Sequence, residues 1–274
     1  MSLNGYQKTI VGVFILTLAA WIVTYFGKIT DDSIIETIML VFSLIPISGG
    51  ALALVGYRKW GGLSTILGKA ILLLGCGIFL WGCGALVYGY YLAALHLKVI
   101  YPSIADFFFV PAVFFYTAGA IYLSRTTGIG MGWRNKIGKA FAIVAPFIIF
   151  AIAYYLLVFI GRNNQIIAGE GDVLKTVLNI IDPLGDFVSL TVSVVVAGLS
   201  FRYLGGMYKR EVISILAGMA VMFLADSLFA YATTIGSKYK GDLGDLIYAV
   251  GMFLLTFGLL GFNKIKQAEP APAD

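Results

Sequence analysis

The chain has 274 residues, 60% of them hydrophobic and 12% charged, with a net charge of +5 and a mean hydropathy of +0.93. A soluble domain carries about 25% charged residues, so this chain lacks the polar surface to cover a globule; it reads as an all-α, polytopic integral membrane protein. Its single histidine, His96, excludes a bis-histidine haem, and no lysine sits mid-span to hold a retinal Schiff base.

Eight apolar runs approach the roughly 20 residues a bilayer requires: about 9–27, 34–57, 70–95, 104–123, 138–160, 177–204, 211–235 and 243–262. The first follows Lys8 and is longer than a signal-peptide core, with no small-residue cleavage site, so it reads as a retained helix. Ser33-x-x-Glu36 opens the second with the spacing of a capping box. The third holds Gly75, Gly77, Gly82 and Gly84, which permit close helix packing, and the aromatics Trp81, Tyr88, Tyr90 and Tyr91. Cys76 and Cys83 in the same run read as small packing residues and not as a redox or metal pair. Ser103-x-x-Asp106 opens the fourth run, again with box spacing. The glycines of "TTGIGMGWRNKIGKA" (126–140) follow no strand, so this loop reads as a lipid-headgroup contact through Arg134, Lys136 and Lys139, not a phosphate loop.

Asp182-Pro183 has the form of a cap with proline in the first turn, which would let the sixth helix cross from 183 to 204; Asp186 lies one turn deeper. Lys209 and Arg210 flank the seventh run on its basic side, and Asp226 falls inside it, nine residues before Ile235, roughly 13 Å deep. Asp242-x-x-Asp245 opens the eighth as an acidic variant of the box.

Thirteen Lys and Arg fall on one side of this map and six on the other. The positive-inside rule then puts both termini in the cytoplasm of a multi-pass protein of the cell membrane. Eleven of the fourteen acids lie at or near the outer side. The basic loops therefore face anionic lipid, and nucleic acid is not implied. Residues 1–266 form a single transmembrane domain, and 267–274 read as a disordered cytoplasmic tail.

Glu36, Asp106 and Asp245 are explained by capping, where a carboxylate satisfies free N–H groups and complements the helix dipole. Asp226 is not, because a lipid-facing carboxylate at that depth costs several kcal/mol. It must face the bundle interior, either as a neutral or water-bridged structural acid or as the floor of an outward-facing pocket. In the pocket reading Asp226, Asp186, Asp106 and Asp245, walled by Trp81, Tyr88 and Tyr231, would take a small cationic or amphipathic ligand through ion pairing and cation–π contact. Belt positions at the interface are the alternative role for each tyrosine. No metal spacing and no catalytic constellation is present, so neither an enzyme nor a cofactor is expected.

The chain also reads as duplicated. "GYRKWGG" (56–62) matches "SFRYLGG" (200–206), and "YPSIADFFFV" (101–110) aligns with "KGDLGDLIYA" (240–249), setting Asp106 against Asp245. Four spans per unit give two parallel repeats, about 9–125 and 138–264, around an axis along the membrane normal. "LWGCGALVYGYY…YPSIADFFFVPAVFFYTAGAIYL", with "DPLGDFVSLTV" and "LADSLFAYATTIGSKYKGDLGDLIYAVGMFLL", resembles the multi-helix N-terminal membrane region of bacterial and archaeal sensors. Such regions precede diguanylate cyclase, phosphodiesterase or histidine kinase modules. Here only "QAEPAPAD" follows Lys266, so the resemblance implies a stand-alone sensor or receptor-like module that signals through a partner protein. A secondary transporter or proton-coupled carrier using Asp226 is the alternative, and an accessory subunit of a membrane complex is a further one.

Overall fold

The computed structural model describes residues 3–29, 31–93, 102–127, 129–165, 172–200, 208–237 and 241–263. Among these the chain is helical and contains no strand. The helices are α1 (Gly5–Phe26), α2 (Asp32–Gly56), α3 (Ile66–Ala93), α4 (Asp106–Ser124), a short α5 (Ile129–Arg134), α6 (Lys136–Ala153), α7 (Val173–Ser200), α8 (Lys209–Thr234) and α9 (Leu243–Gly261). All but α5 are long and apolar enough to cross a membrane. The chain is therefore a multi-pass membrane protein by the length and composition of its helices. His96, Glu170, Arg202, most of the "SFRYLGG" stretch and the tail 267–274 lie outside the described residues.

Side chains set the helix starts, and three of them overturn the spacing argument. Ser33 and Glu36 do not form the box at α2: the helix begins at Asp32 and Asp31 caps it, accepting the N–H groups of Ser33 (2.9 Å) and Ile34 (3.3 Å). A charged acceptor at that position also complements the helix dipole, which serine cannot. Asp182 is not a cap either. α7 starts nine residues earlier at Val173, with Asp172 Oδ1 accepting Lys175 N–H at 3.1 Å, and runs through Pro183. A proline inside a helix frees the carbonyl four residues back, here that of Asn179. Arg162 Nη1 donates to that carbonyl at 2.6 Å, and its Nη2 lies 3.8 Å from Asp182. The guanidinium replaces the missing backbone donor, so the helix continues.

At α9 the acidic spacing does produce a cap. Asp242 accepts Asp245 N–H at 3.0 Å while Asp245 accepts Gly241 N–H at 2.8 Å. At α4 the box expected of Ser103 and Asp106 does not form: the N-cap is Ala105, with no side-chain cap bond, and Asp106 instead reaches back to Ser103, accepting its N–H (2.6 Å) and its hydroxyl (3.1 Å). α1 opens with a box the sequence argument did not consider, in which Asn4 Oδ1 accepts Gln7 N–H at 2.8 Å and Gln7 Oε1 accepts Asn4 N–H at 3.3 Å.

The tightest pairs are α3 on α4 and α8 on α9, with α2 on α3; α2 also packs on α9, as α4 packs on α7. Glycine allows both tight pairs to close. A Cβ on Gly77 would lie 2.6 Å from Tyr116 N and 2.7 Å from Ala112 O; one on Gly218 would lie 2.9 Å from Leu255 N and 3.0 Å from Gly251 O. The other side of each pair repeats the pattern, Gly119 closing on Leu74 and Ala70 as Gly258 closes on Ile215 and Glu211. The main apolar core, including Leu74, Ile78, Tyr116, Ile215, Met219 and Leu255, fills the space among α3, α4, α7, α8 and α9.

α1 and α6 are peripheral and leave apolar side chains such as Leu16, Val23, Phe147 and Ile148 exposed, as a lipid-facing surface requires. Polar bonds hold α1 to α9 at both ends: Trp21 Nε1 to Gly241 O (3.0 Å), Asn4 Nδ2 to Leu260 O (2.8 Å) and Gln7 Nε2 to Phe257 O (3.1 Å). One end of the bundle is acidic, with Asp31, Asp106, Asp182 and Asp242; the opposite end carries Arg134, Lys136, Lys139, Lys209 and Arg210.

Candidate functional site

Four helices bring a carboxyl–phenol cluster together inside the bundle. Asp186, 6% exposed and midway along α7, lies beside Asp226 of α8, the two carboxyl groups within hydrogen-bonding reach of one another. An ionised carboxylate has no donor, so a hydrogen bond between the two would need a proton on one of them. Tyr248 of α9 donates its hydroxyl to Asp226 Oδ1 at 2.6 Å. Tyr116 of α4, fully buried, lies beside both acids with its hydroxyl next to Ser189. Ser189 Oγ is itself buried and makes no hydrogen bond of standard geometry.

An aromatic wall closes one side. The Trp81 ring packs 5.8 Å from Tyr248 and 5.6 Å from Phe109, and Phe229 lies 6.3 Å from Tyr248. Towards the acidic end Arg162 and Asp182 stand above the pair. Their side chains are 19% and 30% exposed, so this is where the cluster comes nearest to water. A separate apolar groove nearby is lined by Phe150, Tyr154, Val158, Pro183, Leu184 and Phe187; α6 there continues as a widened π-type turn over Tyr154–Ile160.

Of the residues singled out in the sequence, Asp186, Asp226 and Trp81 meet here. Asp106 is held by Ser103 and Asp245 by Gly241 at the start of α9, although Asp245 lies one turn above Tyr248. Tyr231 is 43% exposed and turned outward, and Tyr88 is half-buried about two turns from Trp81. Tyr116, Ser189, Tyr248 and Arg162 were not foreseen. The readable signal for Tyr248 was a phenol one turn after a capping acid; Tyr116 sits in an unbroken apolar run and gave none.

At the basic end Arg134, Lys136, Lys139 and Lys209 are exposed, and Arg210, its side chain 37% exposed, also turns towards neighbouring helices. Its Nη2 lies 3.0 Å from Glu211 Oε1 and 3.3 Å from Gln7 Oε1, and its guanidinium sits 5.3 Å above the Phe257 ring. Glu211 is fully buried against Gly261, and a buried carboxylate demands such a cation. Among the described residues no cluster of His, Cys, Asp and Glu has metal-binding geometry. The helices and their interior acids thus define a multi-pass membrane protein with a carboxyl pair in its core. No family model, no curated protein and no solved structure matches the chain.

Proposed function

We propose that the chain is a sensor or receptor-like membrane module whose input site is the Asp186–Asp226 pair with Tyr248 and Tyr116. One observation carries this reading: two buried acids on different helices come within reach of one another, where a shared proton would join them. A cationic or amphipathic ligand entering past Arg162 and Asp182 would take the place of that proton and pair with the carboxylates, while Trp81, Phe109 and Phe229 offer ring faces for cation–π contact. Bound and free states then differ in what links α7 to α8, which is the differential interaction a ligand needs to shift a conformational equilibrium. The exposed cations of the basic end contact anionic lipid and present the surface through which a partner protein reads the change.

The proposed architecture is two four-helix repeats, with both termini in the cytoplasm of the cell membrane and the site opening outward. The matched closures support it: Gly77 on Tyr116 and Ala112 repeats as Gly218 on Leu255 and Gly251. So does the exchange in which α2 packs on α9 as α7 packs on α4. At the same register Asp226 falls on Ala85 and Tyr248 on Phe109, so the carboxyl pair comes from the second repeat while Tyr116 and Trp81 come from the first. This asymmetry is what a binding site grafted onto a duplicated scaffold looks like.

The test is gentle extraction from native membranes followed by native mass spectrometry of the wild type and Asp226→Asn. The expected result is a small organic cation or amphipathic amine retained by the wild type and lost from a variant that keeps its helical circular dichroism. Wild-type protein arriving with neither a bound molecule nor a partner protein overturns the reading. A carrier is the second reading, favoured by the inward polar face of α7. It requires substrate-dependent flux in proteoliposomes that Asp226→Asn abolishes.

A further inference from the structure

The buried polar groups of α7 lie on one side of the helix over its whole passage. Asp182, Asp186, Ser189, Ser193 and Ser200 are spaced four, three, four and seven apart, which at 3.6 residues per turn keeps them on one face. From Asp182 to Ser200 that face is about 27 Å long at 1.5 Å per residue, close to the ~30 Å hydrocarbon core. It is turned inward: Asp186, Ser189, Ser193 and Ser200 are 6%, 2%, 3% and 0% exposed. Ser193 donates to Leu216 O at 2.6 Å, and Ser200 shares a 2.9 Å hydroxyl bond with Thr127 at the basic end. Structural packing alone does not call for Ser189 Oγ, 98% buried with the Tyr116 hydroxyl beside it and no hydrogen bond of standard geometry. An unsatisfied buried hydroxyl is a position waiting for a donor or acceptor.

The geometry points to a gated proton route along this face, from Asp182 through the Asp186–Asp226 pair to Ser189 and Ser193, and across Val196 to Ser200 and Thr127. It rests on the carboxyl pair and the serine face and not on the ligand reading above. No bond is made or broken except O–H. A proton arriving from the acidic end enters the pair as another leaves it, and each hydroxyl accepts one proton while releasing its own. The charged and titratable groups facing Asp186 are Asp182 on its own helix, Asp226 from α8, Arg162 from the turn after α6, Tyr116 from α4 and Tyr248 from α9.

The interruption is Val196, 5% exposed, which with Ala197 occupies this face between Ser193 and Ser200. It leaves about 10 Å without a side-chain oxygen, so water must bridge that step, and valine makes it rare.

Flux is measured with the full chain in proteoliposomes holding a trapped pH-sensitive dye, under a potassium diffusion potential set with valinomycin. The wild type is expected to acidify the lumen faster than protein-free vesicles. Asp186→Asn, which leaves an amide where the route needs an exchangeable carboxyl, should cut the excess rate about ten-fold or more. Val196→Thr, which keeps the shape of valine and adds a hydroxyl, should raise it several-fold. Wild-type flux at the protein-free level, or Asp186→Asn at the wild-type rate, overturns the route. If Asp186→Asn fails to reconstitute, Val196→Thr decides, and an unchanged rate there is equally fatal. A protein that co-purifies with a ligand yet passes no protons would sink this route while leaving the receptor reading standing.

Discussion

Pro183 and Arg162 show how one residue redirects an element. Proline removes the donor that Asn179 O would receive, and the Arg162 guanidinium supplies another from outside the helix. Truncating Arg162 leaves that carbonyl unsatisfied, a loss of about 1–3 kcal/mol where the site is poorly hydrated. Arg162→Ala should therefore lower the melting temperature in detergent by several degrees. In a Pro183→Ala background the backbone N–H returns and the same truncation should cost less than half as much. Equal losses in both backgrounds would show that Arg162 stabilises through Asp182 and not through the carbonyl. Asp186 and Asp226 obey the same accounting, since interior acids persist only with partners, and here each is the other's partner.

At the scale of the element, the glycines decide which helices come closest. Lipid tails are as apolar as leucine, so helix association in a membrane rests on close packing and interhelical polar bonds. A Cβ on Gly218 would sit 2.9 Å from Leu255 N, and backbone cannot step aside as a side chain can. Gly218→Ala should cost about 1–3 kcal/mol, read as a drop in melting temperature. Gly12→Ala, on the exposed face of α1 with nothing within 4 Å, should be neutral or stabilising by up to about 1 kcal/mol. If both variants melt alike, backbone closure is not what holds α8 to α9. α1, lacking such glycine closure, is held instead by Trp21, Asn4 and Gln7, which is why its outer face is free to be wholly apolar.

For the whole molecule, the two ends differ in charge because a bilayer separates them. The proposed orientation predicts that Ser237→Cys, exposed at the acidic end, reacts with a membrane-impermeant maleimide in intact cells. Lys136→Cys, exposed at the basic end, should react only after the membrane is opened. The reverse pattern would invert the topology and place the Arg162–Asp182 mouth on the cytoplasmic side.

What the sequence by itself determined is the membrane class, the eight spans to within a few residues, and the separation of basic from acidic ends. These follow from composition, run length and charge, which are local and additive along a chain in a bilayer. Asp226 was also legible as an interior acid, because depth can be counted in residues. What only the tertiary structure decided is everything that depends on a second helix: that Asp186 and Asp226 meet, that Tyr116 and Tyr248 join them, and that Asp182 lies within a helix instead of starting one. The cap at Asp182 failed because Arg162, twenty residues away in sequence, supplies the missing donor. A hydrogen bond between two helices leaves no period in either one, so partners had to be found in space.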